Sequence, residues 1–444
     1  MYNVKTNEVN EIKFIHSNIG ISDKGRLSFC GCDTVDLAGE YGTGLYLFDE
    51  DLIRERCRMY KRLMSKYFGG ASRPVYAGKA FSCKEIYRIM SSEDMGVDSV
   101  SSGELYTASA AGFPLENVFF HGNNKTDADL IYAIESKVGH IVSDSFEELD
   151  CISDIATERG VEQRVLLRIT PGIDPHTYDA INTGKVDSKF GTPIETGQAE
   201  KIVSYALGKP GVKLVGLHCH IGSQIFDAQP FCDAVKIMTK FLADLRARYG
   251  YTAEILNLGG GLGVRYIESQ PIPDYEAYIR TFSDVLKSEL SGYGLEMPTI
   301  IMEPGRSIVA DAGMTLYTVG TVKTIEGYLS YVSVDGGMGD NPRYALYGAE
   351  YTVYNASRVL ASADFECTIA GRCCESGDMI ARDVKIARPV RGDILAVAVT
   401  GAYNYSMASN YNRLPRFPIV MISKGKPRLI VRRETFEDIA RLDV

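Results

Sequence analysis

The chain has 444 residues, more than one hydrophobic core usually organises, so we expect a large domain of about 250 residues with a smaller one. A net charge of -9, with 45% hydrophobic and 24% charged residues, is ordinary for a globular protein and argues against a nucleic-acid-binding surface. Ten cysteines without CxxC spacing favour a reducing cytoplasm, and the start MYNVKTNEVNEIKF and the lack of an 18-residue apolar run predict neither export nor a membrane span.

The first elements in chain order are a strand-like stretch and a long helix. Residues 27–49, LSFCGCDTVDLAGEYGTGLYLFD, have the composition of strands. Asp49 can then cap a helix that ends at FGG. Its predicted apolar face carries Leu52, Tyr60, Leu63 and Tyr67.

Eight short β-branched runs follow, and helical patterns separate them. The runs are VYAGKA (75–80), VDSVS (97–101), NVFFHG (117–122), GHIVSD (139–144), RVLLRIT (164–170), VKLVGLHCH (212–220), AEILNLGG (253–260) and TIIMEPG (299–305). A clear helix, opened by Pro273-Asp274, precedes the last run. Strands that alternate with helices are typical of parallel sheets, and eight such units predict a TIM barrel.

The remainder of the chain reads as a second domain made of strands. Residues 315–400 contain four strand-like segments between Gly and Asp turns: TLYTVGTVKTIEG, YLSYVSVDGG, FECTIAG and ILAVAVTG. We therefore expect an α/β fold with a (β/α)8 barrel over residues 49–304. The strand-like N-terminal residues 1–48 would join residues 305–444 in a β-sandwich or β-barrel domain that is discontinuous in sequence.

Unusual residues stand at the ends of several predicted strands, where TIM barrels bind their ligands. Lys79 closes the first strand among small neighbours, although a strand-end lysine alone is more often solvated or ion-paired. Gly259, Gly260 and Gly261 end the seventh strand, and consecutive glycines either form a simple turn or let backbone N–H groups approach an anion. Because the strand ends that carry Lys79 and the glycine run meet in one barrel mouth, we favour a functional role for both.

The eighth strand ends in Glu303-Pro304-Gly305-Arg306, an acid and a base that could equally form a structural salt bridge. A lysine, an anion-binding glycine run and a carboxylate in one barrel mouth match the needs of pyridoxal phosphate. That cofactor requires an amine for its aldehyde, N–H groups for its phosphate and a carboxylate for its pyridine nitrogen.

His218 and His220 in GLHCHIGSQ face the same side of their strand by alternation. Such a pair can bind a metal, as in barrel hydrolases, but we found no companion ligands among His16, His121, His140 and His176. We therefore expect no metal site and assign His220 to stacking on a flat cofactor.

With these positions in hand, the sequence resembles the fold-type III pyridoxal-phosphate decarboxylases, and among them the diaminopimelate decarboxylase family. The resemblance covers nearly the whole chain and rests on the motifs YAGKA, VDSVSSGEL, HGNNK, ITPGIDPHTYDAINTGKVDSKFG, GLHCHIGSQ, LNLGGGLG, EPGRSIVADAG, DGGM, CESGD and GAYNYSMASNYN. It implies an alanine-racemase-like barrel with a β domain, in a homodimer that completes its active sites across the interface.

The resemblance also implies how the cofactor is bound. Lys79 is the Schiff-base lysine, and His220 stacks on the ring. Glu303 pairs with the pyridine nitrogen, and this favours decarboxylation, because alanine racemases have an arginine there. The remaining residues of the expected cofactor site are Asp98, which shapes its base, Ser223, Gly259, Gly260, Gly261, Pro304, Gly305, Arg306 and Tyr403.

For the substrate, the resemblance implies a diamino diacid, meso-2,6-diaminopimelate, which loses the carboxylate of its D-centre to give L-lysine in the last step of lysine biosynthesis. Arg306 and Arg343 would bind carboxylates as bidentate forks. Glu375 would meet the distal ammonium group, and Cys374 of the neighbouring subunit would donate the proton. The expected substrate contacts also include Tyr347 and Tyr403.

Some segments depart from the family pattern, and several alternatives stay open. DGGMGDNPRYALY has Tyr344 where a proline usually follows the arginine, with Gly339 and Asn341-Pro342 in altered surroundings. The rivals are an ornithine, arginine or carboxynorspermidine decarboxylase on the same fold, a non-catalytic regulator, and a metal hydrolase. A regulator should have lost Lys79 or Cys374, and both are present.

Overall fold

The computed structural model describes residues 12–173 and 187–444. Residues 1–11 lie outside the described residues, and so does the segment 174–186. That segment contains His176 and the middle of the motif ITPGIDPHTYDAINTGKVDSKFG.

Eight parallel strands form a closed barrel, as predicted. Closure is seen at Gln163–Thr170, which pairs in parallel with His140–Ser143 on one side and with Val212–His218 on the other. The barrel strands are Arg73–Ala77, Gly96–Ser99, Val118–Phe120, His140–Ser143, Gln163–Thr170, Val212–His218, Ile255–Asn257 and Thr299–Met302. All eight coincide with the β-branched runs of the sequence, because strands buried on both faces are continuously apolar.

Helices follow the barrel strands, and the two predicted from their caps are confirmed. Asp49 caps Glu50–Phe68 by accepting a hydrogen bond from Leu52 N, and Asp274 caps Tyr275–Gly292 through Ala277 N. The helices of the barrel region are Glu50–Phe68, Lys84–Ser92, Ser102–Ala110, Asp127–Glu135, Phe146–Glu158, Gln198–Leu207, Gln229–Tyr249, Tyr275–Gly292 and Arg306–Val309.

A separate, mostly β domain follows the barrel, as predicted. Its main sheet has the strand order Met379–Ile386, Phe365–Ala370, Leu329–Val334, Gly313–Ile325, Leu45–Asp49, Ile419–Ser423 and Lys426–Val431. Ile394–Ala398 pairs with Gly313–Ile325 and with Val353–Asn355. Short helices at Arg343–Tyr347 and Phe436–Ala440 interrupt the β structure. The exact domain boundaries stay a prediction.

The N-terminal stretch is only partly made of strands. Leu45–Asp49 enters the main sheet between Gly313–Ile325 and Ile419–Ser423. Leu27–Phe29 instead pairs with Ile19–Ile21 and Cys32–Asp33 in a small separate sheet. Between them Thr34–Tyr41 is a helix, where the sequence analysis predicted strand. Asp33 explains the difference, because its side chain accepts hydrogen bonds from Val35 N and Asp36 N and so caps the helix.

None of the helices within the described ranges combines the length and the apolar character needed to cross a membrane.

Candidate active site

A cavity of about 500 Å³ opens at the carboxyl ends of the barrel strands, a size usual for small-molecule sites. Predicted site residues supply half of its lining: Lys79, Asp98, His220, Ser223, Glu303, Arg306, Arg343, Tyr347 and Tyr403. They come from the first, second, sixth and eighth barrel units and, in the β domain, from the helix Arg343–Tyr347 and the loop that carries Tyr403. The fold therefore brings together residues that are up to 324 positions apart in the chain.

Lys79 lies just beyond the first barrel strand. The strand ends at Ala77, and Lys79 is in the single helical turn Gly78–Ala80. A Cβ atom at Gly78 would lie 2.8 Å from the carbonyl oxygen of Asp98, so glycine is needed for this close approach. Because its neighbours are buried, the exposed Lys79 side chain is directed into the cavity.

The glycine run after the seventh strand packs tightly against the eighth. A Cβ atom at Gly260 would lie 2.1 Å from the carbonyl oxygen of Glu303, and Gly259 and Gly261 have φ angles of 68° and 122°. A smaller cavity adjoins the first, and its lining includes Gly260, Gly261, Gly305 and Ser223. This lining of backbone and hydroxyl groups suits an anion.

Gly259 and Pro304 stand behind these lining residues. The carbonyl oxygen of Gly259 accepts a hydrogen bond from Glu303 N at 2.8 Å, and that of Pro304 accepts one from Ala77 N at 3.1 Å. Leu262 and Ser307 also line the smaller cavity, and sequence reasoning did not select them. The first bond joins the ends of the seventh and eighth strands, and the second joins the end of the first strand to the eighth.

Glu303 lies at the bottom of the cavity in a buried group that we call the floor cluster: Asp98, His121, His218, Asn257 and Glu303. Glu303 Oε1 is 2.8 Å from His121 Nε2 and accepts a hydrogen bond from Asn257 Nδ2 at 2.6 Å. Glu303 Oε2 is 3.2 Å from His218 Nε2. Since a carboxylate oxygen has two lone pairs, Oε2 can accept one further donor.

Electrostatics keeps Glu303 charged despite its burial. Burial alone would raise the pKa of this carboxyl, but His121 and His218 hold it well below its ordinary value. Burial would lower the pKa of His121, yet the carboxylates of Glu303 and Asp98 raise it. Burial lowers the pKa of His218 to about 4, so this ring is neutral at neutral pH. The floor cluster thus places a charged carboxylate 2.8 Å from a histidine whose protonated form it stabilises.

His218 and His220 both line the cavity, as strand alternation predicted. His220 Nδ1 accepts a hydrogen bond from Gly260 N at 3.2 Å, and burial lowers the pKa of His220 well below its usual value. A neutral, fixed ring of this kind suits stacking against a flat molecule. His121 lies beside His218, so the HxH pair has the close companion that the sequence did not reveal; ligand atoms of His121, His218 and Glu303 lie within 4.8 Å of one another.

Two buried arginines lie on one side of the cavity, in a group that we call the arginine cluster: Tyr266, Arg306, Arg343, Tyr351 and Tyr403. The guanidinium carbons of Arg306 and Arg343 lie 4.8 Å and 5.7 Å from the ring centre of Tyr403. Arg306 also donates to Ser223 Oγ at 2.9 Å. Within the described ranges, neither arginine forms an ion pair with a carboxylate. The cluster therefore presents positive charge to the cavity.

Tyr403 is held in an unusual backbone conformation. Its φ angle of 69° is left-handed, which costs a residue other than glycine on the order of 1–3 kcal/mol. A hydrogen bond from Tyr403 N to the carbonyl oxygen of Ala80, 2.7 Å long, connects this β-domain loop to the turn that carries Lys79. The loop is thereby fixed against the barrel, with the phenol ring of Tyr403 lining the cavity.

Cys374 and Glu375 do not belong to the cavity lining of this chain. Both are exposed, on a loop that Asp378 holds by accepting hydrogen bonds from Met338 N and Cys373 N, each 2.6 Å long. Asn412 Oδ1 accepts a hydrogen bond from Cys374 N at 2.8 Å. Two of the predicted site residues are therefore displayed on the surface of the chain.

Sequence reasoning missed several residues of the site, among them His121, Asn257, Tyr266 and Tyr351. His121 and Asn257 carried a usable signal, because each is a polar residue at the end of an apolar parallel strand. The two tyrosines lie in loops without any periodic pattern. Tyr344, the departure from the family pattern, is half-buried and does not line the cavity.

Comparison with known families defines the class of protein. The family described as "Pyridoxal-dependent decarboxylase, pyridoxal binding domain" matches residues 50–310, which correspond to the barrel. The fold and the cavity thus define a pyridoxal-dependent decarboxylase, and the predicted cofactor, pyridoxal phosphate, is confirmed.

The relatives narrow this class. Diaminopimelate decarboxylase of Bacillus methanolicus is 46% identical over 95% of this chain and 97% of that protein. The same enzyme of Bacillus subtilis is 46% identical over 97% and 98%. The crystal structure of diaminopimelate decarboxylase from M. jannaschii in complex with L-lysine has a TM-score of 0.88 at 35% identity, covering 96% of this chain and 98% of that one. The chain belongs to the diaminopimelate decarboxylase family, as its motifs predicted.

Proposed function

We propose that the cavity decarboxylates meso-2,6-diaminopimelate at its D-centre and releases CO2 and L-lysine, as the last step of lysine biosynthesis. The observation that carries this proposal is the pair of buried arginines, Arg306 and Arg343, in the same cavity as Lys79 and Glu303. Two guanidinium groups without carboxylate partners among the described residues suit a substrate with two carboxylates.

The residues of the cavity fit pyridoxal phosphate. Lys79 Nζ would hold the cofactor covalently, Glu303 would pair with its ring nitrogen, and His220 would lie against its ring. Its phosphate suits the smaller cavity, where glycine is required at Gly260 by the 2.1 Å approach to Glu303. When bound, the cofactor supplies a ring that takes up the electron pair left by the departing CO2.

Other residues of the chain bind and orient the substrate. Arg306, Arg343, Tyr347 and Tyr403 would contact it, and Asp98 shapes the bottom of the cavity. A ligand that lacks the second carboxylate leaves a buried guanidinium group unpaired, and this costs binding free energy. The arginine cluster therefore favours the diacid over ornithine, arginine or a simple diamine.

We also propose a homodimer in which Cys374 and Glu375 of one subunit complete the cavity of the other. Their exposure outside the cavity of their own chain supports this arrangement. The Cys374 thiol would give a proton to the carbon that has lost CO2, and Glu375 would pair with the distal ammonium group. Mixing inactive Lys79→Ala and Cys374→Ala proteins should restore activity, because a mixed dimer contains one intact cavity. A mixture that stays inactive would contradict shared sites.

A cytoplasmic location completes the proposal. All ten cysteines are free thiols, six of them buried. Free thiols are typical of reducing compartments. Fractionation of cells followed by detection of the protein tests this location.

The function is tested by mixing the purified protein with pyridoxal phosphate and meso-2,6-diaminopimelate, and measuring CO2 and L-lysine. Ornithine, arginine and carboxynorspermidine form the comparison panel, and Lys79→Ala is the inactive control. We expect turnover of diaminopimelate alone, unaffected by a chelator. A folded, cofactor-loaded protein that forms neither product would refute the proposal, and loss of activity with chelator would favour a metal enzyme.

A further inference from the structure

Tyr266 occupies a position between the two cavity arginines. Its phenol oxygen accepts a hydrogen bond from Arg306 Nη1 at 2.7 Å and another from Arg343 Nη1 at 3.3 Å. The guanidinium carbons of Arg306 and Arg343 lie 5.7 Å and 5.4 Å from its ring centre. One side chain therefore touches both cations through both its oxygen and its ring.

The contact with Tyr266 offsets the repulsion between the two cations of the arginine cluster. Two buried guanidinium groups repel each other, and a carboxylate between them would neutralise the charge that a substrate needs. The Tyr266 phenol oxygen instead accepts a hydrogen bond from both groups. Burial would raise the pKa of the Tyr266 phenol, but Arg306 and Arg343 hold it below its ordinary value.

The backbone of Tyr266 is fixed from two sides. Its N–H group donates to Gln270 Oε1 at 2.8 Å, and its carbonyl oxygen accepts from Thr352 Oγ1 at 2.9 Å. Thr352 belongs to the β domain, whereas Tyr266 follows the seventh barrel strand. The phenol therefore has a defined place at the junction of the two domains.

Among the described residues, Tyr351 accepts from Arg343 and not from Arg306. Arg343 Nη1 donates to the Tyr351 oxygen at 3.1 Å, and the Tyr351 hydroxyl donates to Asn404 Oδ1 at 3.2 Å. The rings of Tyr351 and Tyr266 make an edge contact with centres 5.7 Å apart. Removal of the Tyr351 hydroxyl thus gives a natural comparison, because it leaves Arg306 untouched.

We propose that Tyr266 is a positioning residue that sets the spacing of the Arg306 and Arg343 guanidinium groups and so selects a ligand with two carboxylates. This inference rests on the proposed function of the cavity. Tyr266 acts through the arginines and takes no part in the chemical step. Its loss should therefore weaken binding of the diacid and leave the rate of the bound substrate unchanged.

The test replaces Tyr266 by Phe in the cofactor-loaded enzyme, which keeps the ring and removes the oxygen. We expect KM for meso-2,6-diaminopimelate to rise about tenfold, with kcat within about twofold, since hydrogen bonds to charged groups are lost. The dissociation constant of pimelate, a seven-carbon diacid without amino groups, should rise by a similar factor in calorimetry. Tyr351→Phe should raise both constants by about threefold.

Tyr278→Phe is the matched control, because its hydroxyl donates to the carbonyl oxygen of Phe226 at 2.9 Å, away from the arginine cluster. An unchanged KM and an unchanged pimelate constant in Tyr266→Phe would overturn the inference, and so would a fall in kcat at constant KM. If the wild-type enzyme does not turn over diaminopimelate, the proposed function fails. The pimelate measurement still decides the role of Tyr266 in that case.

Discussion

At the floor cluster, the buried carboxylate of Glu303 lies 2.8 Å from His121 Nε2 and also contacts Asn257 and His218. At the arginine cluster, two buried cations have no carboxylate partner among the described residues, and the phenol oxygens of Tyr266 and Tyr351 accept hydrogen bonds from them. The Glu303 carboxylate thus has close polar partners within the chain, whereas neither arginine has a carboxylate partner among the described residues. On the proposed roles, the cofactor contact at the floor keeps its charge permanently, whereas the substrate contacts at the arginines leave their charge available for a ligand.

Glu303→Gln tests the floor cluster and should have the largest effect on catalysis. The amide keeps the size of the side chain but removes the negative charge at the bottom of the cavity. We expect kcat to fall at least a hundredfold, the scale found when a preorganised electrostatic contact is removed. The measurement is kcat at saturating substrate, with cofactor loading followed by absorbance. Glu296→Gln, at an exposed position, is the control, and a kcat within threefold of wild type would contradict the role of Glu303.

Arg343→Ala tests the arginine cluster. Loss of one buried guanidinium partner should raise KM for diaminopimelate roughly a hundredfold, because a carboxylate is then left unpaired in a buried site. The change in kcat should be smaller. Steady-state kinetics separates the two constants, with Arg382→Ala at an exposed position of the β domain as the control. An unchanged KM would remove Arg343 from the substrate site.

The sequence predicted the barrel because continuous apolar strands carry their signal locally. It also predicted Lys79, the glycine run and Glu303, since strand ends of a barrel converge on one mouth. The helix Thr34–Tyr41 was missed although Asp33 was a usable capping signal, because the flanking residues resemble strands.

Partners that come from distant loops were harder to predict. Tyr266 and Tyr351 are 85 positions apart, and only the packing of the β domain on the barrel brings them to Arg343. His121 was considered as a companion of the His218/His220 pair and rejected, because the sequence does not reveal that the third strand end lies beside Glu303 of the eighth. Local patterns therefore predict the scaffold and single strand-end residues, whereas charge partners depend on tertiary packing.

His121→Asn should have a smaller catalytic effect than Glu303→Gln, because it removes only the partner of the floor charge. We expect kcat to fall about tenfold and the free energy of unfolding to fall by roughly 3 kcal/mol, since breaking a buried ion pair leaves a charge uncompensated. Denaturant unfolding and steady-state kinetics measure the two quantities. His16→Asn, which alters a half-buried histidine 3.9 Å from Asp311, is the control. Unchanged stability would mean that the floor is not electrostatically coupled.

The smallest expected effect is on the pH dependence of stability, to which the two regions contribute with opposite sign. Burial raises the pKa of Asp340 to about 7; its carboxylate accepts hydrogen bonds from Tyr317 and Gly337 N and orders the turn before the helix that begins at Arg343. The folded state therefore binds a proton that the unfolded state has lost, so this contribution to stability decreases as pH rises from about 4 to about 7. His218, with a pKa of about 4, acts oppositely, because its contribution is lost as pH falls from 6.5 towards 4.

Asp340→Asn should remove the part of the pH dependence of stability that arises from Asp340, the residue that orders the turn before Arg343. An amide does not ionise, so the decrease in melting temperature between pH 5.5 and pH 8 should be smaller than in the wild type by on the order of 1–3 °C. Thermal unfolding at both pH values measures this difference, with Asp364→Asn at an exposed position as the control. Equal decreases in the variant and the wild type would show that Asp340 ionises near its ordinary pKa. The pH sensitivity of the fold would then arise at other buried groups, such as Glu104, whose pKa burial raises to about 7, and the contrast between the two regions would rest on binding alone.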